Sequence, residues 1–226
     1  MKKTALLIAA LLFIQGAYAQ GQKTEDWGRT NRYAEENAQV KASGIRPKAV
    51  FMGDSITDNW GNRTHPEFFS EHNFAGRGIS GQTSCQMLVR MRPDVIDLHP
   101  KYVVILSGTN DVAQNIGPVD MDVVLGNIIS MCELAKANKI KPVICSVLPA
   151  DRFGWRPELK TPGETIKALN ASLKAYAAKE HIPYVDFHSA LDNGKGGLPE
   201  KYAKDGVHPN LECYEIMESM VLPYLK

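Results

Sequence analysis

Three residues of the sequence have the types and spacing that covalent ester chemistry requires. A serine hydroxyl is a weak nucleophile near neutral pH and needs a general base within hydrogen-bond reach. Ser55 lies in the segment 53–57, and Asp205 stands three residues before His208 near the C-terminal end. His208 is the candidate base, and Asp205 is the candidate partner that would fix its tautomer and stabilise the imidazolium. These residues predict a serine nucleophile with a Ser–His–Asp triad.

Two further segments could supply the hydrogen-bond donors that a tetrahedral oxyanion needs. Gly81 lies in the turn 78–83, and Asn110 lies in the segment 107–111. A glycine lets the backbone approach a substrate without a side chain in the way. We therefore expect three donors at the oxyanion: the backbone N–H groups of Ser55 and Gly81 and the side-chain amide of Asn110.

Each of these residues also has a purely structural alternative. Ser55 could cap a helix, because Ser and Asp both favour the position before a helix. Gly81 could be only a turn glycine, and Asn110 could cap the helix that follows it. Asp205 and His208 could lie in an exposed turn. The occurrence of all five in one chain favours the catalytic interpretation.

Short apolar runs that alternate with helical patterns are expected to position these segments. Predicted strands cover residues 48–52, 101–106, 142–148 and 182–187, with a weaker one at 73–75. Helical spacing of apolar residues recurs at 121–135 and 166–177, and a last helix is expected from about Pro209. This alternation predicts a parallel sheet covered by helices on both faces. Ligands bind at the carboxyl ends of the strands in such sheets, where three of the four polar segments lie.

The N-terminal residues have the pattern of a secretory signal peptide. Two lysines precede an apolar run at 5–14, which is too short to span a membrane, and 17–19 has the small-x-small pattern of a cleavage site. We expect cleavage after Ala19 and a periplasmic or secreted protein; the alternative is a buried N-terminal helix. The chain then divides into a signal peptide (1–19), an N-terminal extension expected to be helical from about 24 to 43 (20–47), and a catalytic domain (48–226).

Composition and charge exclude several classes of protein. The 226 residues include 26 Lys and Arg against 25 Asp and Glu, for a net charge of +1 that becomes −1 once the two lysines of the signal are removed. A nucleic-acid binder would need a basic excess, so none is expected as a partner. The mature chain has no apolar run long enough for a membrane span. The sequence does not define an oligomeric state.

The four cysteines are expected to be structural. They are Cys85, Cys132, Cys145 and Cys213, and their spacings match no zinc motif. An oxidising compartment permits disulfides, but Cys132 and Cys145 lie at apolar positions of a predicted helix and strand. Buried free thiols are therefore favoured over disulfides.

Taken together, the four polar segments resemble those of the SGNH hydrolases, also called GDSL-type esterases and lipases. Segments 53–57, 78–81, 108–111 and 205–209 resemble the first, second, third and fifth sequence blocks of that family, in the same order. The resemblance implies a flavodoxin-like three-layer α/β/α sandwich with strand order 2-1-3-4-5, no metal and no organic cofactor. It implies that Ser55 is the nucleophile, that Gly81 and Asn110 are oxyanion donors, and that Asp205 and His208 complete the triad.

The sequence departs from the family pattern at two positions. Gly76 stands where an Asn is frequent, and Gln82 stands where many members have Asp. We expect these differences to affect the choice of substrate more than activity. The Gly-x-Ser-x-Gly elbow of the α/β-hydrolases is absent around Ser55, which disfavours that fold.

The expected function is that of a secreted serine esterase that deacylates O-acetylated carbohydrates. The enzymatic alternatives are a lysophospholipase or short-chain lipase and an acyltransferase, and the non-enzymatic alternative is a glycan-binding module. The expected partner is a small-molecule or carbohydrate ester. The loop 149–163 contains Arg152, Phe153, Trp155 and Arg156. Long loops without periodic structure are often functional, so it could form one wall of the substrate pocket or be a surface loop pinned by Trp155.

Overall fold

A computed structural model describes residues 26–226. The predicted signal peptide (1–19) and residues 20–25 lie outside the described residues. The described strands form one parallel sheet in the order β2-β1-β3-β4-β5. They are β1 (Ala49–Gly53), β2 (Phe74–Gly78), β3 (Tyr102–Leu106), β4 (Lys141–Cys145) and β5 (Tyr184–Val185).

The helices lie between and around these strands. In the described part of the chain they are α1 (Ala34–Ser43), α2 (Ser55–Asn59), α3 (Pro66–Glu71), α4 (Ser84–Asp94), α5 (Thr109–Val112), α6 (Met121–Ala137), α7 (Pro162–Lys179), α8 (Phe187–Leu191) and α9 (Leu211–Val221). A π-helical turn (Trp60–Thr64) follows α2, and 3₁₀ turns cover Ile96–Leu98 and Leu222–Tyr224.

Side chains on the two faces of the sheet enter two separate cores. Val50 and Met52 of β1 belong to a cluster that also contains residues of α4, α6 and α7. Phe51, between them, belongs to a second cluster with residues of α3 and α9. This alternation follows from the two-residue period of a strand. Helices therefore cover both faces, and the predicted three-layer α/β/α sandwich with order 2-1-3-4-5 is confirmed.

The register of the central strands brings the polar segments to one edge. Gly53 at the end of β1 pairs with Gly78 of β2 and with Leu106 of β3. These three strands therefore end at the same level. The segments that contain Ser55, Gly81 and Asn110 leave the sheet side by side at its carboxyl edge.

The last two strands are shorter than the sequence predicts. β4 ends at Cys145 rather than at Leu148, because the Asn170 side chain of α7 takes over its next hydrogen bonds. The Asn170 amide accepts from the N–H of Val147 at 2.8 Å and donates to its carbonyl at 2.9 Å. β5 contains two residues, since Asp186 already caps α8 by accepting from the N–H of Ser189. The first helix likewise begins at Ala34 rather than near Thr24, after a stretch of turns.

The four cysteines are free thiols in the structure, and three of them are buried. Burial raises the pKa of Cys132 and of Cys213 to about 12 and raises that of Cys145 further. A thiol with so high a pKa carries almost no thiolate at neutral pH, which makes it a poor nucleophile. These three cysteines therefore serve packing.

Candidate active site

The serine lies at a tightly packed junction between β1 and α2. A β-carbon on Gly78 would lie only 2.1 Å from the backbone nitrogen of Asp58, so the end of β2 packs directly against the backbone of α2. Asp54 caps α2 by accepting from the N–H of Ile56 at 2.9 Å. Ser55 thus begins the helix without acting as its cap, and its hydroxyl is left for another partner.

The three residues of the predicted triad form one hydrogen-bonded line. Ser55 Oγ lies 2.8 Å from His208 Nε2, and His208 Nδ1 lies 2.6 Å from Asp205 Oδ2. The other carboxylate oxygen of Asp205 accepts from the backbone N–H groups of Val207 and His208, at 2.9 and 2.8 Å. The turn therefore fixes Asp205 locally, and Asp205 in turn orients the imidazole. This arrangement can take a proton from the serine hydroxyl as the hydroxyl attacks a carbonyl.

Contacts between α9 and α2 bring the histidine turn to the serine. The buried Tyr214 of α9 donates its hydroxyl hydrogen to the carbonyl of Ile56 at 2.7 Å. His208 lies on the turn just before α9, so this bond ties the turn to the helix that begins at Ser55. Ser55 and His208 lie 153 positions apart in the sequence. They meet because α2 and α9, which lie in the same layer, are hydrogen-bonded to each other.

Asp205 is set up to remain a carboxylate. Burial acts to raise its pKa, but hydrogen bonds from the backbone and ring of His208 and from the backbone of Val207 outweigh burial and lower it. The side chain is 53% exposed, more than that of His208 at 31%. Water therefore screens the charge of Asp205. The carboxylate acts on the His208 ring more through its hydrogen bond to Nδ1 than through its charge.

Gly81 lies in a turn whose backbone borders an open space. Its φ is +83°, in the left-handed region that favours glycine. A β-carbon built on it would meet no atom within 4 Å. The turn that follows β2 therefore leaves room for a substrate next to its backbone.

Asn110 is buried at the end of β3, and its amide faces the other site segments. Gly108 makes the turn before it with a φ of +130°, and a β-carbon there would lie 2.7 Å from Val147 Cγ2. The amide nitrogen of Asn110 donates to the carbonyl of Gln82 at 2.9 Å and lies 3.3 Å from Asp54 Oδ2. Asn110 does not cap α5. Its nitrogen instead points toward the segments of Gly81 and Ser55.

Replacing Asn110 by alanine should lower kcat about 100- to 1,000-fold if the predicted roles hold, because one predicted oxyanion donor is lost while the predicted triad stays. The rate is measured with a soluble acetyl ester, and folding is checked by thermal unfolding. Asn138→Ala, at an exposed helix end, is the matched control and should keep full activity. Undiminished turnover of the Asn110 variant would remove this amide from the oxyanion hole.

Asp54 is a site residue to which sequence reasoning assigned no chemical role. It is 1% exposed, and burial raises its pKa to about 6 against the hydrogen bond from Ile56, which lowers it. Its carboxylate lies beside the amide of Asn110. The sequence signal was the Asp before Ser, which predicts a helix cap but not a buried titrating group.

The raised pKa of Asp54 predicts a specific pH dependence of stability. The protonated carboxyl of Asp54 holds its proton more tightly in the folded protein than in the unfolded chain. Protonation of Asp54 therefore stabilises the fold fully below about pH 4, and this contribution to the unfolding free energy is lost as pH rises through about 6. Asp54→Asn removes this loss. Its unfolding free energy relative to the unchanged protein should rise by about 2 kcal/mol between pH 4 and pH 7 in urea titrations.

A matched variant with the opposite sign controls this measurement. Burial acts to raise the pKa of Asp186, but the bonds from Lys174 and Ser189 outweigh it and lower that pKa. Asp186→Asn should therefore lose stability relative to the unchanged protein as pH rises. A difference for Asp54→Asn that is the same at both pH values would contradict a raised pKa at that carboxyl.

The loop 149–163 borders the site on the histidine side. The Trp155 ring lies 6.5 Å from the His208 ring between centroids and is 43% exposed. Phe153 is buried, and the Arg156 guanidinium donates to the carbonyl of Gln114 at 2.6 Å. The loop is therefore anchored at three points and not by Trp155 alone. Among residues 26–226, no group of three His, Cys, Asp or Glu side chains is placed to hold a metal ion.

Comparison with known proteins identifies the family. The sequence model of the GDSL-like Lipase/Acylhydrolase family matches residues 51–216, more than half of the chain. The chain belongs to this family. The matched range spans the positions of all five predicted site residues, Ser55, Gly81, Asn110, Asp205 and His208, and the family resemblance inferred from the sequence is confirmed. This GDSL-family chain is a carboxylic ester hydrolase.

Solved structures and a curated relative support the same assignment. A GDSL-like lipase from Bacteroides thetaiotaomicron is 48% identical with a TM-score of 0.84, and the match covers 88% of the present chain and 98% of that chain. An acylhydrolase structure from Bacteroides fragilis is 47% identical with a TM-score of 0.85, covering 89% and 97%. Esterase TesA of Pseudomonas aeruginosa is 28% identical over 156 residues, which cover 69% of the GDSL-family chain and 71% of that protein.

Proposed function

We propose that this hydrolase is a serine esterase that works through an acyl-enzyme on Ser55. The observation that carries the proposal is the line from Ser55 through His208 to Asp205, with bonds of 2.8 and 2.6 Å. His208 takes the hydroxyl proton as Ser55 Oγ attacks the ester carbonyl. The alcohol leaves with that proton, and the acyl group stays on Ser55. Water then attacks the acyl-enzyme, again with His208 as base, and the carboxylic acid is released.

Three donors would stabilise the oxyanion formed in both steps. The backbone N–H of Ser55 lies in the first turn of α2, where such groups lack helical partners. The backbone of Gly81 has open space on the side where a β-carbon would stand, and the amide of Asn110 is buried and held by neighbouring segments. Donors that are already oriented lower the barrier without reorganising during the reaction.

We propose O-acetylated carbohydrates as the substrate class. The loop beside His208 offers the half-exposed Trp155 ring together with the exposed Arg152 guanidinium, which lies against the turn at Gly206. An apolar ring face beside hydrogen-bond donors suits a sugar, whose ring has both C–H and hydroxyl surfaces. Acetylxylan esterase structures, one of them from Geobacillus stearothermophilus, share the fold at 20% and 22% identity with TM-scores of 0.67 and 0.63. Their substrate chemistry supports the proposal for this chain.

Measured product release from two substrates tests this assignment. We expect acetate from acetylated xylo-oligosaccharides and little fatty acid from lysophosphatidylcholine. Faster release of fatty acid, with acetylated sugars left intact, would overturn the carbohydrate proposal in favour of a lysophospholipase or short-chain lipase. Transfer of the acetyl group to an added alcohol in preference to water would favour an acyltransferase, which must keep water from the acyl-enzyme.

Export of the protein is a separate part of the proposal. Its support is the pattern of residues 1–19, which lie outside the described residues. Within residues 26–226, no helix has both the length and the apolar character needed to cross a membrane. N-terminal sequencing of the protein from its own cells should begin at Gln20. A mature chain that still begins at Met1 would contradict cleavage.

A further inference from the structure

Three side chains form a continuous hydrogen-bonded relay between the exposed loop and Asn110. The indole N–H of Trp155 donates to Asn115 Oδ1 at 2.9 Å. Asn115 Nδ2 donates to Asn110 Oδ1 at 2.8 Å. The relay ends at the carbonyl of Gln82, to which Asn110 Nδ2 donates at 2.9 Å. Its first bond joins Trp155 and Asn115, which lie 40 positions apart in the sequence.

The two ends of the relay fix the orientation of both amides. An indole N–H only donates, and a backbone carbonyl only accepts. Asn115 must therefore turn its oxygen to Trp155 and its nitrogen to Asn110. Asn110 must then turn its oxygen to Asn115 and its nitrogen toward the predicted oxyanion position. An asparagine without such neighbours could present either atom, and an inward-facing oxygen would repel an oxyanion.

Asn115 also contacts the second predicted oxyanion segment. Its amide nitrogen lies 3.3 Å from the carbonyl of Gly81, so one NH₂ group joins the Asn110 side chain and the Gly81 turn. The backbone N–H of Asn115 donates to the carbonyl of Asn110 at 3.0 Å, which fixes this residue just beyond α5. The side chain is therefore placed to set the distance between two donors.

We propose that Asn115 is a positioning residue that aligns Asn110 and Gly81 for the oxyanion, and that the indole N–H of Trp155 orients it. The proposal rests on the proposed function, because it concerns the oxyanion hole of that esterase. Trp155 then has two roles: its ring face borders the substrate, and its N–H acts on the rate of acyl transfer. A loop residue of this kind changes kcat as well as KM.

A double-mutant cycle separates these roles. Trp155→Phe keeps an aromatic ring and removes the N–H, and it should lower kcat about fivefold on a small acetyl ester while KM changes less than about twofold. Asn115→Ala should lower kcat about 10- to 50-fold, because it removes both contacts. In the Asn115→Ala background, Trp155→Phe should have no further effect on kcat, since the two act through one path.

A separate tryptophan variant is the control for the kcat measurements, and two results of the cycle would contradict the relay. Trp27→Phe removes the N–H of another tryptophan, 51% exposed and outside the relay, and should leave kcat unchanged. An unchanged kcat in Trp155→Phe would overturn the relay. So would a fivefold effect of Trp155→Phe that persists in full without Asn115, because the two residues would then act independently.

A second measurement tests the relay independently of the proposed esterase activity. Side-chain amide hydrogen exchange at Asn110, followed by NMR, should be faster in Trp155→Phe and faster still in Asn115→Ala than in the unchanged protein. If the unchanged protein hydrolyses no ester, the proposed function fails, and this measurement still decides on the relay. Equal exchange rates in all three proteins would overturn it.

Discussion

Replacing Ser55 by alanine should lower kcat by a factor on the order of 10⁵, because no atom remains to form the acyl-enzyme. Binding of the ester should change little, since the oxyanion donors and the loop are kept. The variant should fold, because Asp54 and not Ser55 caps α2. The measurement is the initial rate of acetate release, together with thermal unfolding of the same preparation.

The matched control for this variant is Ser219→Ala. Ser219 lies on the exposed side of α9 and donates to the carbonyl of Ile216 within its own helix. It should keep full activity. A Ser55→Ala protein that retains more than about 1% of the rate, with no contaminating enzyme, would contradict nucleophilic attack by Ser55.

Replacing Asp205 by asparagine should lower kcat about 10⁴-fold with little effect on folding. The amide oxygen can still accept from the backbone N–H groups of Val207 and His208. The amide nitrogen would then face His208 Nδ1, which must turn its lone pair to it. The ring proton moves to Nε2 and faces Ser55, so the imidazole can no longer accept the hydroxyl proton.

The exposure of Asp205 makes this variant a sharp test. With the carboxylate 53% exposed, charge alone contributes little, and most of the loss should come from the wrong tautomer. Asp186→Asn, which keeps the cap of α8, is the matched control and should retain activity. A loss of less than about tenfold in Asp205→Asn would mean that Asp205 does not set the tautomer of His208.

The fold was largely predictable because its signals are local. Each central strand is an apolar run, and the long helices carry apolar residues at helical spacing, so the parallel sheet and its two covering layers follow from short windows of sequence. The ends of β4 and β5 were not predictable in this way. The end of β4 depends on the side chain of Asn170, which meets Val147 only after α7 has packed on the sheet, and β5 ends where Asp186 caps α8.

In the candidate site, too, residues in short sequence blocks could be predicted, and residues whose role depends on contacts with distant segments could not. The short blocks around Ser55, Gly81 and His208 indicated the chemistry, and the alternation of strands and helices indicated which edge of the sheet would hold them. Asp54 and Asn115 were missed. Their environment comes from other segments: burial beneath the site for Asp54, and a bond from Trp155 for Asn115.

Covalent labelling tests the central claim most directly. The unchanged protein is treated with a fluorophosphonate, digested and analysed by mass spectrometry, with Ser55→Ala and Asp205→Asn treated in parallel. One phosphonyl group on the peptide that contains Ser55, none on Ser55→Ala and slow labelling of Asp205→Asn are the expected results. Labelling of another residue, or no labelling of a folded and ester-cleaving protein, would contradict a reaction through Ser55 activated by His208.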